Sequence, residues 1–173
     1  MLAYIYNEDA NEPYYMPHKG KEVAIHELEK LGVEYRHIPM HADTVNEVIN
    51  EYIERYPAHD IINLDKNTPR EKLDMFFEEH LHEDAEVRFI TSGCGYFDVR
   101  SGDDKWIRIR LEAGDFIILP AGIYHRFTVD DNFVIQALRL FELLPKWTPM
   151  NRRPSLEQLQ IRQSYISKTQ LNK

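Results

Sequence analysis

Cysteine is almost missing from this chain. Cys94 is the single one in 173 residues, so no internal disulfide forms and a reducing compartment is expected. Its small neighbours Ser92, Gly93 and Gly95 suit a packing role. Long apolar runs are absent too; none approaches the roughly 20 residues a membrane helix needs, so no membrane insertion is expected. Residues 1–15 show no charged segment followed by an apolar run, and no secretory signal is expected. A cytoplasmic location follows, and nothing in the composition bars the nucleus. Basic residues are the minority, 21 against 29 acidic, for a formal charge of −8. Without a basic stripe, nucleic acid is not an expected partner. Internal repeats and low-complexity linkers are also lacking.

What is present fits one globular domain spanning 1–173, with 43% hydrophobic and 29% charged residues. A chain of this length buries roughly 70% of the surface its unfolded form exposes. The hydrophobic period divides it. A helical N-terminal third covers about 20–76, with helices expected over Gly20–Leu31, over Thr44–Tyr56 behind a Thr44/Glu47 capping box, and from Pro69 to about Phe77. Short strands then follow in a core of about 80–145: Val87–Thr91, Gly95–Arg100, Trp106–Leu111, Phe116–Leu119, His125–Val129 and Phe133–Phe141. Ile61–Leu64 reads as a further strand. Tight turns at Ser101–Asp104 and Glu112–Asp115 join neighbours without helices between them, which implies an antiparallel sandwich or barrel. Another helix is expected after Ser155, with a frayed tail from about Ser167. The fold class is therefore mainly β: a jelly-roll β-barrel with N-terminal and C-terminal helices.

Four residues carry the chemistry. His80 and His82 share a strand face, Glu86 follows on the same parity, and His125 sits in a distant Pro-Ala-Gly-Ile-Tyr-His turn. Three imidazoles and a carboxylate suit a first-row divalent metal such as Fe, Ni, Mn or Zn, and the lack of a cysteine ligand argues against a closed structural zinc site. Arg88 lies on the face of Glu86. Arg139 interrupts an apolar strand, where an unpaired guanidinium would be costly, so it is expected to face an anion. Phe76, Ile90, Phe97 and Phe127 are candidates for an apolar pocket wall. Glu79 is a candidate partner for a ligand imidazole. Tyr124 and Arg126 should point outward, and the other histidines (His18, His26, His37, His41, His59) should be surface or capping residues.

Residues His80–Gly93 match H-x-H-x3-E-x6-G and Gly114–His125 match G-x5-P-x-G-x2-H, so the chain resembles the cupins. Asp74 and Val129 stand where those motifs carry glycine and asparagine. The runs EEHLHEDAEVRFI, GYFDVR, DKWIRI, LPAGIYHRFTVD and ALRLF are similar to one branch, the acireductone dioxygenases. Tyr6, Pro17 and His18, and the segment Trp147–Pro149 with Asn151 and Arg152, extend that resemblance over about Tyr4–Tyr165. It implies a cupin fold, with His80, His82, Glu86 and His125 as metal ligands and Arg88 and Arg139 beside the substrate. It implies Fe2+ as the metal (Ni2+ the alternative), and acireductone and O2 as partners. With Fe2+ the expected products are 4-methylthio-2-oxobutanoate and formate, in methionine salvage; with Ni2+ they are 3-methylthiopropanoate, CO and formate. Ala85 stands where the family often carries an acid, which leaves Glu79 or a ligand-bound hydroxide as the base. Two other readings keep the cupin: a different small-molecule metalloenzyme, or a non-catalytic module binding protein partners that the sequence does not identify.

Overall fold

The computed structural model describes residues 1–8, 15, 20–143 and 148–170. Pro17, His18 and Trp147, which contribute to the family resemblance, lie outside the described residues.

The strands are β1 (Leu2–Tyr6), β2 (Glu34–His37), β3 (Ala58–Leu64), β4 (His80–Leu81), β5 (Glu86–Arg100), β6 (Trp106–Glu112), β7 (Asp115–Leu119), β8 (His125–Val129), β9 (Ile135–Phe141) and β10 (Met150–Asn151). Every pairing between them is antiparallel. One sheet runs β1-β6-β5-β8-β4-β10; the other is formed by β2, β7, β5, β9 and β3.

Strand β5 belongs to both sheets, and one irregularity makes that possible. Its first half pairs with β7 and β9, its second half with β6 and β8, and the register slips between Ile90 and Ser92. Gly93 follows at φ +76, and a Cβ there would meet the Val134 carbonyl oxygen at 2.0 Å. The bulge flips the side-chain parity. Ile90 before it and Phe97 and Val99 after it all join the core between the sheets, whereas Val87 and Phe89 face the opposite side. The two segments read from sequence as separate strands are thus one bent strand.

The outer face of the second sheet is closed by α2 (Thr44–Tyr52). Its Val45, Val48, Ile49 and Tyr52 recur at helical spacing and pack on Val87, Phe89, Phe116 and Leu138. Thr44 does not cap as expected: Asp43 holds the N-cap position, and the Thr44 hydroxyl accepts from the His41 amide at 2.7 Å and donates to the Pro39 carbonyl. The first helix is only α1 (Ile25–Lys30). Residues before it are extended, because Ile5 and Val23 use their amides to bond across to Lys21 and Ala3. Helix α3 (Arg70–Phe77) starts one residue after Pro69, which is its N-cap. Towards the C-terminus a 3-10 turn (Pro154–Gln158) precedes α4 (Gln160–Gln170), so the described part of the tail expected to fray, from Ser167 to Gln170, is helical.

Candidate metal centre

His80 and His125 are brought together by pairing directly across β4 and β8. His82 follows one residue beyond β4, and Glu86 opens β5, so the turn between them separates what the sequence pattern treats as a single strand. One potential ligand atom from each of the four side chains lies within 4.8 Å of the others. Glu86 Oε2 sits 3.0 Å from His125 Nε2 and 3.1 Å from His82 Nε2.

Two of the three imidazoles are held from behind. His80 Nδ1 is 2.6 Å from the Glu78 carbonyl oxygen and His125 Nδ1 is 3.0 Å from that of Ile123. With Nδ1–H donated to a carbonyl, Nε2 keeps its lone pair for the centre. Burial pushes His80 down to about 3, and neighbouring His125 adds to the shift, so His80 is neutral at physiological pH. Burial would by itself raise Glu86, but Arg88, His125 and His82 outweigh it and hold the carboxyl well below its usual range. A neutral His80 and an ionised Glu86 are in the forms a metal requires. The donor set of three nitrogens and a carboxylate oxygen fits a divalent first-row ion, gives it one compensating negative charge, and leaves about two octahedral positions unfilled.

Those four residues open onto a cavity of about 370 Å³ that also reaches Arg88, Arg139, Phe76, Phe97 and Phe127. A mostly apolar recess of about 60 Å³ shares Glu86, Arg88 and Arg139 with it and is otherwise walled by side chains that include Leu64, Phe76, Ile90, Phe97 and Phe127. The sequence-derived wall residues therefore all border this space.

Arg88 Nη2 lies 3.0 Å from Glu86 Oε1. Its cross-strand partner is Arg139, whose own cross-strand partner is Asp60. Arg139 is expected to face an anion, and that anion is Asp60, gripped through Nε at 2.6 Å and Nη2 at 2.8 Å. A bidentate partner offsets the cost of burying the guanidinium. Sequence reasoning missed Asp60 by starting that strand at Ile61. The signal was available: Ala58, Asp60, Ile62 and Leu64 share a parity, and an acid among inward positions needs a partner.

One expectation is corrected and another refined. Glu79 does not touch a ligand imidazole; its carboxylate is taken by Arg100 at 2.9 and 2.8 Å and by Arg152 at 2.7 Å. Tyr124 and Arg126 do face away from the centre, but both are buried. Arg126 pairs with Asp98 at 2.8 Å and with Glu8, under the rings of Phe77 and Trp106. The outer face of this sheet is covered rather than solvated. Of the remaining histidines, His26, His41 and His59 are exposed, and half-exposed His37 bonds Asp115 at 3.0 Å.

Residues 2–149 match the ARD/ARD′ family. Acireductone dioxygenase of Aspergillus fumigatus is 46% identical over 173 residues, covering 96% of this chain and 95% of that protein. The Emericella nidulans enzyme of the same name is 48% identical, covering 96% and 94%. Among solved structures, acireductone dioxygenase from Bacillus anthracis, with a cadmium ion in its active centre, superimposes with a TM-score of 0.61 at 32% identity, covering 71% of this chain and 85% of that one. With matches along almost its whole length and a metal-ligand cluster inside an antiparallel cupin fold, the chain belongs to the ARD/ARD′ family of acireductone dioxygenases.

Proposed function

We propose that this protein cleaves acireductone, 1,2-dihydroxy-5-(methylthio)pent-1-en-3-one, with dioxygen in methionine salvage. Fe2+ is the productive metal, giving 4-methylthio-2-oxobutanoate and formate; Ni2+ diverts the reaction to 3-methylthiopropanoate, CO and formate. The observation that carries the reading is the four-donor cluster with its open side facing a cavity that shares residues with a mostly apolar recess. His80, His82, Glu86 and His125 would hold the ion, which supplies Lewis acidity toward the enediol oxygens and a redox partner for dioxygen.

The chain's own residues do the rest. Arg88, fixed against Glu86, presents positive charge beside the developing enediolate. Arg139 stands across the strand pair from Arg88, and its pairing with Asp60 offsets the repulsion between the two guanidiniums. Phe76, Phe97, Phe127 and Ile90 take the methylthio tail and exclude water from the reacting carbons. With Glu79 tied to two arginines, Asp84 and Glu142, which both line the cavity, are the carboxylates left to accept the enediol proton, and Asp84, two residues from Glu86, is the one to test. The chain acts as one catalytic unit, and a cytoplasmic or nuclear setting suits its buried thiol.

The test is reconstitution of metal-free protein with Fe2+ or Ni2+, following acireductone absorbance with and without dioxygen and identifying the products. Dioxygen-dependent loss with formate in both forms, and CO only with Ni2+, is the expected result; no dioxygen-dependent loss in either form would refute it. An Asp84→Asn variant should keep full metal content while kcat falls about a hundredfold or more; unchanged kcat would remove Asp84 from the proton path.

A further inference from the structure

The reaction as derived leaves unused a cluster of opposite charges formed by Arg100, Arg152 and Arg162 with Glu79, Asp104 and Glu157. We propose that Arg152 is a positioning residue of the metal centre: it ties together the two segments that deliver His80 and His125. The proposal rests on the four-residue metal centre and is independent of which products form.

Arg152 reaches the residue immediately before each of these histidines. Its amide donates to the Glu79 carbonyl oxygen at 2.8 Å, and its Nη1 donates to Glu79 Oε1 at 2.7 Å. Its guanidinium also stands 4.7 Å from the ring centre of Tyr124. That ring is fully buried and meets Arg162 as well, at 4.4 Å, while Arg162 Nη1 donates to the Gly122 carbonyl at 3.0 Å in the same turn. Asp104 holds the Arg152 fork in place from the other side at 2.8 and 3.2 Å.

The need for such a tie follows from the brevity of β4. This strand has two residues and pairs with β8 only through His80 and His125. One cross-strand pair is a weak constraint on two ligands whose donor atoms must stay in register to fractions of an ångström. Strand β10 doubles the support by pairing Asn151 with His80, and Arg152 is the next residue. The C-terminal segment thereby grips the ligand strand through its backbone and the ligand turn through a side chain. Glu79 and Arg152 are only partly exposed, at 19% and 30%, and the bonds are shared among several charges, so the cluster exceeds an isolated surface pair in strength.

The experiment uses the full chain, stripped of metal, with Ni2+ as probe and a chromophoric chelator as competitor. Arg152→Met should raise the Ni2+ dissociation constant about tenfold or more. Arg152→Lys, which keeps the charge and loses the fork, should fall between. Arg36→Met, which removes the exposed Arg36–Glu51 pair elsewhere on the fold, should leave the constant unchanged. A purely structural role predicts lower thermal stability of the metal-free Arg152→Met protein with a wild-type dissociation constant, and that result overturns the proposal. If Arg152→Met fails to fold, Arg152→Lys and Glu79→Gln decide, and wild-type constants in both overturn it. Failure of the unaltered protein to bind Ni2+ would instead defeat the metal centre itself.

Discussion

Three of the four side chains in the cluster have their polarity set by an identifiable neighbour: a carbonyl behind His80 and behind His125, a guanidinium beside Glu86. Arg88 is the residue whose removal separates binding from turnover. In Arg88→Met the bound ion still neutralises Glu86, so metal content should stay at the wild-type level while kcat/KM falls about a hundredfold or more, as for loss of one donor to a developing oxyanion. Metal analysis alongside steady-state kinetics checks this; parallel loss of metal would show that Arg88 serves the ligand rather than the substrate. Cys94 gives a prediction of opposite character. Burial raises its thiol from an ordinary 9.0 to about 11. A folded-state pKa above the unfolded one favours the folded chain below pH 9, and that contribution is lost as pH rises through 11. Denaturation midpoints measured from pH 8 to 11.5 should fall along this limb, and Cys94→Ala should flatten it.

At the scale of elements, the site depends on a turn and a bulge more than on long strands. Gly122, three residues before His125, has φ +83, and a Cβ there would meet the Ile161 carbonyl oxygen of α4 at 2.8 Å. Gly122→Ala therefore strains the turn and pushes it from the C-terminal helix at once. We expect a loss of about 1–3 kcal/mol in chemical denaturation, accompanied by weaker metal binding because His125 moves with the turn. Strand parity is legible from alternation, as where Ile107, Ile109 and Leu111 alternate with Trp106, Arg108 and Arg110. The bulge at Ile90–Gly93 is not, since it is a property of β5 being shared by two sheets. Cap positions misled for a similar reason: Thr44 lies in a helix-start pattern, yet its hydroxyl serves the loop at Pro39 and His41.

For the molecule as a whole, the metal and the fold are thermodynamically linked, because the four ligands come from separate segments that only folding gathers. Ni2+ at a hundred times its dissociation constant should add about 2.7 kcal/mol, which for a chain of this size corresponds to roughly 5–10 °C in Tm. Differential scanning fluorimetry of metal-free and loaded protein measures the shift, and Glu86→Gln should abolish it. The sequence alone determined the antiparallel barrel class, the identity of the ligand set and the aromatic candidates, since alternation and histidine spacing are local properties of the chain. Only the tertiary structure decided that Asp60 neutralises Arg139, that Glu79 belongs to an arginine cluster, and that Arg126 is buried with Asp98. Those partnerships join residues 21 to 79 positions apart. Local pattern shows that a buried charge needs a counter-charge, but only the packing of strands selects which one it meets.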